Sequence, residues 1–239
     1  MEKSQRLFLA ILISFFCNYV LGNTLSFKFE EFRLNNKLPS GSVFRMYHDS
    51  DGFIWLGTSD GLCRYDGYDL KTFRSSSATP RILKNNEIQC IAEDNHKRIW
   101  VGMQGGVNII DKNSFTITSF DNKFIDNDKV NCILSDKNGN IWIGTSNNGL
   151  LKVNTETYEF EHYSMDQTSK LPLRNNSIIN LYEDKQGRIW FTSWKSEMGF
   201  ISKDRKTLNY APKIGVYNNP FRIFQDKIGD IWVCTWGDG

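Results

Sequence analysis

Five aspartates are the first candidates for chemistry, because each stands six residues ahead of a tryptophan. Asp49, Asp94, Asp136, Asp184 and Asp226 precede Trp55, Trp100, Trp142, Trp190 and Trp232. Paired carboxylates can cleave glycosidic bonds, and alternating oxygens in a loop can hold calcium. Asp136-x-Asn138-x-Asn140 opens like a calcium loop, but it lacks the glycine that should follow and a distal glutamate. An Asp-box, Ser-x-Asp-x-Gly-x-Thr-Trp, fits at Ser135, Gly139 and Trp142, yet Lys137 and Ile141 fill its Asp and Thr places. A carboxylate that recurs at one place in five units is read as structural, accepting backbone N–H groups across a turn. The five tryptophans could stack on sugars, but each sits between apolar neighbours and is read as core.

Metal and redox chemistry find little support. Cys63, Cys90, Cys132 and Cys234 match no zinc spacing, there is no Cys-x-x-Cys or His-Glu-x-x-His, and His48, His96 and His162 lie far apart. The expectation is no metal, no cofactor, and buried free thiols rather than disulfides. Lys+Arg 29 against Asp+Glu 27 gives a formal net charge of +2, with both signs interspersed. Such a chain has no basic face for a nucleic-acid backbone.

The elements that must position these residues follow from the spacing. The tryptophans recur at intervals of 42 to 48 residues, each preceded by isoleucine: Ile54, Ile99, Ile141, Ile189 and Ile231. Three positions before the Trp stands Gly52, Gly139, Gly187 or Gly229, with Lys97 as the departure. Within one unit, Val130 to Leu134, then Asp136-Lys137-Asn138-Gly139, then Asn140 to Thr145 reads as strand, tight turn, strand. A turn at Asn147-Asn148-Gly149 leads to Leu150–Asn154, and Tyr158–Tyr163 closes the unit. Ile141-Trp142-Ile143 is apolar on both faces, so the sheet must be sandwiched between neighbours. Small residues two places after the Trp (Gly57, Gly102, Gly144, Thr192, Cys234) fit close approach of the next sheet. The expected fold is all-β, a β-propeller of four-stranded antiparallel blades with a period of about 44 and about four and a half blades present, so the ring is incomplete. A solenoid is the runner-up.

Residues 1–22 read as a secretory signal peptide. Lys3 and Arg6 form the positive region, Leu7 to Phe16 the apolar run, and cleavage is expected after Gly22. An uncleaved anchor is the alternative, and a lipoprotein reading through Cys17 is disfavoured by the bulk of Phe15 and Phe16. Residues 23–239 are then the partial propeller.

The string Asp51-Gly52-Phe53-Ile54-Trp55-Leu56-Gly57-Thr58-Ser59-Asp60-Gly61-Leu62-Cys63-Arg64-Tyr65-Asp66-Gly67 resembles the two-component regulator propeller repeat. It recurs as Gly139-Asn140-Ile141-Trp142-Ile143-Gly144-Thr145 and more weakly at Arg98–Gly102, Gly187–Thr192 and Gly229–Thr235. The resemblance implies a periplasmic sensor region of a hybrid two-component histidine kinase. Such proteins run through two seven-bladed propellers, a β-sandwich, one membrane helix, a kinase, a receiver and a DNA-binding domain. It also implies oligosaccharide ligands and a homodimeric parent anchored in the inner membrane. This chain stops after the second strand of the fifth unit, so the expectation is an N-terminal part that does no chemistry and binds no nucleic acid. By the same resemblance Leu25–Phe32 would be the outer strand of a last blade.

Function is expected where the repeat breaks, in the loops at one end of the propeller. Trp194-Lys195-Ser196-Glu197-Met198 reads as a longer loop with a tryptophan outside the repeat, and Trp194 is the leading ligand candidate, with Lys195 and Glu197 beside it. Asn85-Asn86, Arg174-Asn175-Asn176 and Tyr217-Asn218-Asn219 precede first strands and approach the same end. Amides, a guanidinium and aromatic rings suit a neutral or acidic sugar, while Asn-Asn pairs are also plain turn formers. The alternatives are a secreted propeller enzyme, such as a lyase, lactonase or glycosidase, and a protein-interaction scaffold.

Overall fold

Each aspartate of the repeat makes a clip that explains both it and its tryptophan. In the computed structural model, which describes residues 28, 38–76, 82–194, 197–212 and 219–236, one Asp136 carboxylate oxygen accepts the backbone N–H groups of Asn138 and Asn140 at 3.0 and 2.8 Å. The other accepts the Trp142 indole N–H at 2.8 Å. The same indole bond forms at Asp49–Trp55, Asp94–Trp100, Asp184–Trp190 and Asp226–Trp232, at 2.7 to 2.8 Å. The turn requires a left-handed residue, supplied by Gly139 at φ 80°. Lys97 takes that conformation without being glycine, at φ 61°.

These clips close the first hairpin of every sheet. The first sheet is β1 (Val43–His48), β2 (Ile54–Thr58), β3 (Gly61–Tyr65) and β4 (Leu70–Phe73); the second is β5 (Ile88–Glu93), β6 (Arg98–Met103), β7 (Gly106–Asp111) and β8 (Ile117–Phe120). The third is β9 (Val130–Ser135), β10 (Asn140–Thr145), β11 (Leu150–Asn154) and β12 (Phe160–Tyr163); the fourth is β13 (Ile178–Glu183), β14 (Ile189–Ser193), β15 (Glu197–Ile201) and β16 (Leu208–Tyr210). A fifth sheet holds β17 (Asn219–Gln225) and β18 (Ile231–Trp236). All are antiparallel meanders paired in chain order, and no helix occurs among the described residues. β12 begins two residues later than Tyr158. Asn154 turns the chain through its side-chain oxygen, and Tyr158 itself is left-handed at φ 60°.

Successive sheets stack as propeller blades, with the first strands β1, β5, β9, β13 and β17 packed against one another in order. Alternate residues of the second strands in the second, third and fourth blades face opposite neighbours. Ile141 and Ile143 join the core with the second blade, whereas Trp142 joins Leu171, Ile178 and Phe191 on the side of the fourth. Close approach explains the small residues: a Cβ on Gly144 would lie 2.5 Å from Cys132 Sγ and 2.7 Å from Ile178 Cγ2. Cys63, Cys90 and Cys132 are buried free thiols, and Cys234 is free and exposed.

A buried carboxylate needs a counter-charge. Asp94 and Asp184 receive theirs locally, from Arg98 at 2.7 Å and Arg188 at 2.5 Å. Asp136 receives Arg205 from the fourth blade at 3.2 Å, and Asp49 faces Lys112 from the second at 3.6 Å. Burial raises the Asp184 carboxyl, but the indole, the Arg188 N–H and its guanidinium outweigh this and hold it below its ordinary value. All this lies within residues 36–239, one compact unit. Residues 1–35 form a separate unit in which Lys28 is the described residue, so the signal-peptide segment and Leu25–Phe32 strand lie outside the described residues, apart from Lys28 itself.

Candidate functional site

The opposite end of the blades, where second strands turn into third strands, carries the variation. Each first strand has a β-bulge there. Pairing jumps from Val43↔Thr58 to Arg45↔Gly57, which leaves Phe44 without a partner across the ladder. The same jump leaves out Gln89, Asn131, Ile179 and Phe221 in the following blades. Bulges re-aim side chains, and here four of these five residues line a single cavity of about 260 Å³.

Trp194 also lines this cavity. Its backbone N–H donates to Ser177 O at 3.1 Å, and the Asn175 amide donates to its carbonyl at 2.6 Å. The main chain is thereby pinned from two sides while the residue stays 57% exposed. Trp194 stands four places after Trp190, where the first three blades carry Ser59, Gln104 and Ser146. The fifth blade repeats the substitution with Trp236, 72% exposed and 6.4 Å from the Phe221 ring. Trp236 was not singled out by the sequence reading, although the same spacing that marks Trp194 marks it.

The remaining candidates divide. Asn85 and Asn175 each cap their own turn, accepting the N–H of Glu87 and of Ser177 at 2.8 Å. Asn86 and Asn176 tie blades together: their carbonyls accept the Gly61 and Gly149 N–H groups, and their amide oxygens those of Ser75 and Met165. Arg174 stacks 4.1 Å above the Tyr210 ring, whose hydroxyl accepts the Arg174 backbone N–H. Burial, with the Glu197 carboxylate adding to it, raises the Tyr210 hydroxyl despite that bond. One Glu197 oxygen is buried with no hydrogen-bond partner among the described residues. Arg174 and Glu197 thus belong to a patch around Tyr210 and are not among the described residues lining the cavity. Lys195, Tyr217 and Asn218 lie outside the described residues. The Trp194 connection is one residue longer than those of the first two blades and shorter than Ser146–Gly149 of the third, so its length is not what sets it apart.

The cavity wall that the sequence reading missed is cationic: Arg45, Lys129 and Arg222 line it, with no carboxylate among its described lining residues. Burial foremost, then the like charge of Arg222, holds the Arg45 guanidinium below its ordinary value. No group of three or more metal-ligating side chains clusters among the described residues.

Stacked four-stranded blades, clipped at one end and variable at the other, define a β-propeller. The two component regulator propeller repeat matches at residues 37–60, 82–105, 124–147 and 172–195, each spanning the approach to the first strand, the clip and the second strand. The chain therefore carries two-component regulator propeller repeats. It is 29% identical to Histidine kinase P4 of Formosa agariphila over 82% of this chain and 14% of that protein. It has the fold of the extracellular domains of two hybrid two component systems of B. thetaiotaomicron. The first gives a TM-score of 0.73 at 20% identity, over 86% of this chain and 29% of that one; the second gives 0.67 at 22%, over 81% and 28%. Virginiamycin B lyase of Staphylococcus aureus shares the fold at TM-score 0.68 and 16% identity, over 90% of this chain and 69% of the lyase. The chain thus spans a small part of its kinase relative and under a third of the two extracellular domains.

Proposed function

We propose that this chain is the ligand-sensing part of a periplasmic two-component sensor, exported through residues 1–22 and binding an oligosaccharide at the bulged end of its blades. The observation that carries this reading is the pinned, exposed Trp194 beside a cavity of about 260 Å³. An indole on a pinned main chain offers a flat face for the C–H side of a sugar ring. The repeat type and the histidine kinase relative support a sensor role, with signalling to a kinase in the rest of a homodimeric parent. The role is binding; no reaction is assigned to these residues. Oligosaccharide-array binding followed by calorimetry tests it. Trp194→Ala is expected to weaken binding about tenfold or more with an unchanged melting temperature. Unchanged affinity would remove the site from this cavity.

A further inference from the structure

Of the eight arginines among the described residues, Arg64 and Arg174 stack on aromatic rings at 4.1 Å, and four are neutralised by carboxylates. Arg74, Arg98, Arg188 and Arg205 each contact an aspartate, at 2.7, 2.7, 2.5 and 3.2 Å. Arg45 and Arg222 are different. Arg45 donates to its neighbour's carbonyl, Phe44 O, at 2.7 Å, and Arg222 lies 5.7 Å from the Phe221 ring. Neither is ion-paired with a described carboxylate, and both line the cavity with Lys129. They also share one register position: Arg45 pairs with Gly57 and Arg222 with Cys234, where the blades between place Cys90, Cys132 and Asn180, all buried. Blade packing is therefore satisfied by small side chains at this position, and the two arginines answer to something other than packing. Two carboxylates outside the lining bond to lining residues: Glu87 accepts from the Gln89 amide and Asp128 accepts the Lys129 backbone N–H.

We propose that the ligand taken at this cavity is an anionic glycan whose carboxylate or sulfate is held by Arg45 and Arg222, with Lys129 adding to the field and Trp194 stacking on the ring that carries the anion. The proposal rests on the sugar-binding reading above and names its substrate class. Cations that share a cavity with no carboxylate in its described lining, two of them without an ion pair among the described residues, hold charge that an anion relieves. Guanidinium groups bind the planar or tetrahedral oxygen sets of such anions through paired N–H donors. A neutral glycan would leave both guanidiniums desolvated and unpaired, at a cost to affinity.

Calorimetry on the intact protein, with four probes, tests the idea: a galacturonate trisaccharide, its fully methyl-esterified form, a sulfated galactan tetrasaccharide without uronate, and its desulfated form. The expected result is binding of at least one charged probe and loss of roughly tenfold or more on neutralising that same probe. Which charged probe binds tells carboxylate from sulfate. Arg45→Gln and Arg222→Gln should each weaken the charged probe roughly tenfold to a hundredfold and leave any binding of its neutral form unchanged, with Arg→Lys intermediate. Melting temperatures equal to the unsubstituted protein separate this from misfolding. Equal affinity for charged and neutral forms, lost in Trp194→Ala, would overturn the anionic class while leaving the sugar site standing. No binding of any of the four probes would overturn the proposal, and neutral glycans captured on the array would then stand for the sugar site alone.

Discussion

The third and fifth blades contain the same clip in different surroundings. Asp136–Trp142 and Asp226–Trp232 are both 2.8 Å bonds over six residues of chain, yet Trp142 is fully buried and Trp232 is 55% exposed. The turn is thus written locally, and burial is supplied by the next sheet. β10 is buried at five of its six positions, whereas β18 alternates between half-buried and exposed. Clip and core are separable: one is chemistry within a hairpin, the other is contact between blades.

The largest effect should come from breaking the core half of that comparison. Trp142→Ala is expected to cost about 3–5 kcal/mol in denaturant unfolding, and Trp232→Ala less than about 1 kcal/mol. Comparable losses at the two sites would mean that the clip, not the packing, carries the tryptophan's contribution. Removing the carboxylate should sort the same way. Asp136→Ala leaves Arg205 and an indole N–H buried without their partner and should cost about 3 kcal/mol, while Asp226→Ala should cost about 1 kcal/mol or less.

Close approach gives a third contrast. Gly144→Ala forces Cys132 or Ile178 aside and should destabilise by about 1–3 kcal/mol, whereas Cys234→Ala, at the same register in the fifth blade, should be near neutral. Acid titration sharpens the view of the third blade's outer pair. Burial raises the Glu161 carboxyl, but Lys170, Lys152 and the Tyr163 hydroxyl bring it down to about 2. A depressed folded-state value stabilises above the ordinary value near 4.5, and this is lost as pH falls from there towards 2. Glu161→Gln should flatten that limb by on the order of 1 kcal/mol after solvent screening is allowed for. The smallest effect is at Lys97. Glycine there relieves a left-handed side chain at the cost of an exposed pair with Asp51, for a net gain of about 0.5–1 kcal/mol.

How much could be read from the sequence follows the same division. The blades were legible because their signals are local: Asp and Gly make the turn, and Ile141-Trp142-Ile143 announces two buried faces. The indole acceptor was within reach, since the six-residue spacing fixes both partners, but a side-chain bond across a hairpin depends on rotamers that spacing does not show. Trp194 was found by breaking the pattern, and Trp236 broke it in the same way. The cavity was the least legible part. Its residues converge through bulges, and a bulge is set by pairing between strands rather than by the residue left out. A polar residue second in a first strand, as in Ile88-Gln89-Cys90 and Val130-Asn131-Cys132, was the available clue. Arg45 and Arg222 share a place ten residues before the repeat tryptophan, where the other units carry Cys90, Cys132 and Asn180, so their position was legible and only the direction they face was not.

On the proposed function, structure is held at the clipped end and ligand is met at the bulged end. Amide hydrogen exchange, with and without a bound oligosaccharide from the array, tests this most directly. Slowed exchange is expected around Gln89, Asn131, Ser177–Asn180, Trp194 and Arg222, with the turns after Asp49, Asp94, Asp136 and Asp184 unchanged. Protection centred on those turns, with none at the bulges, would contradict it.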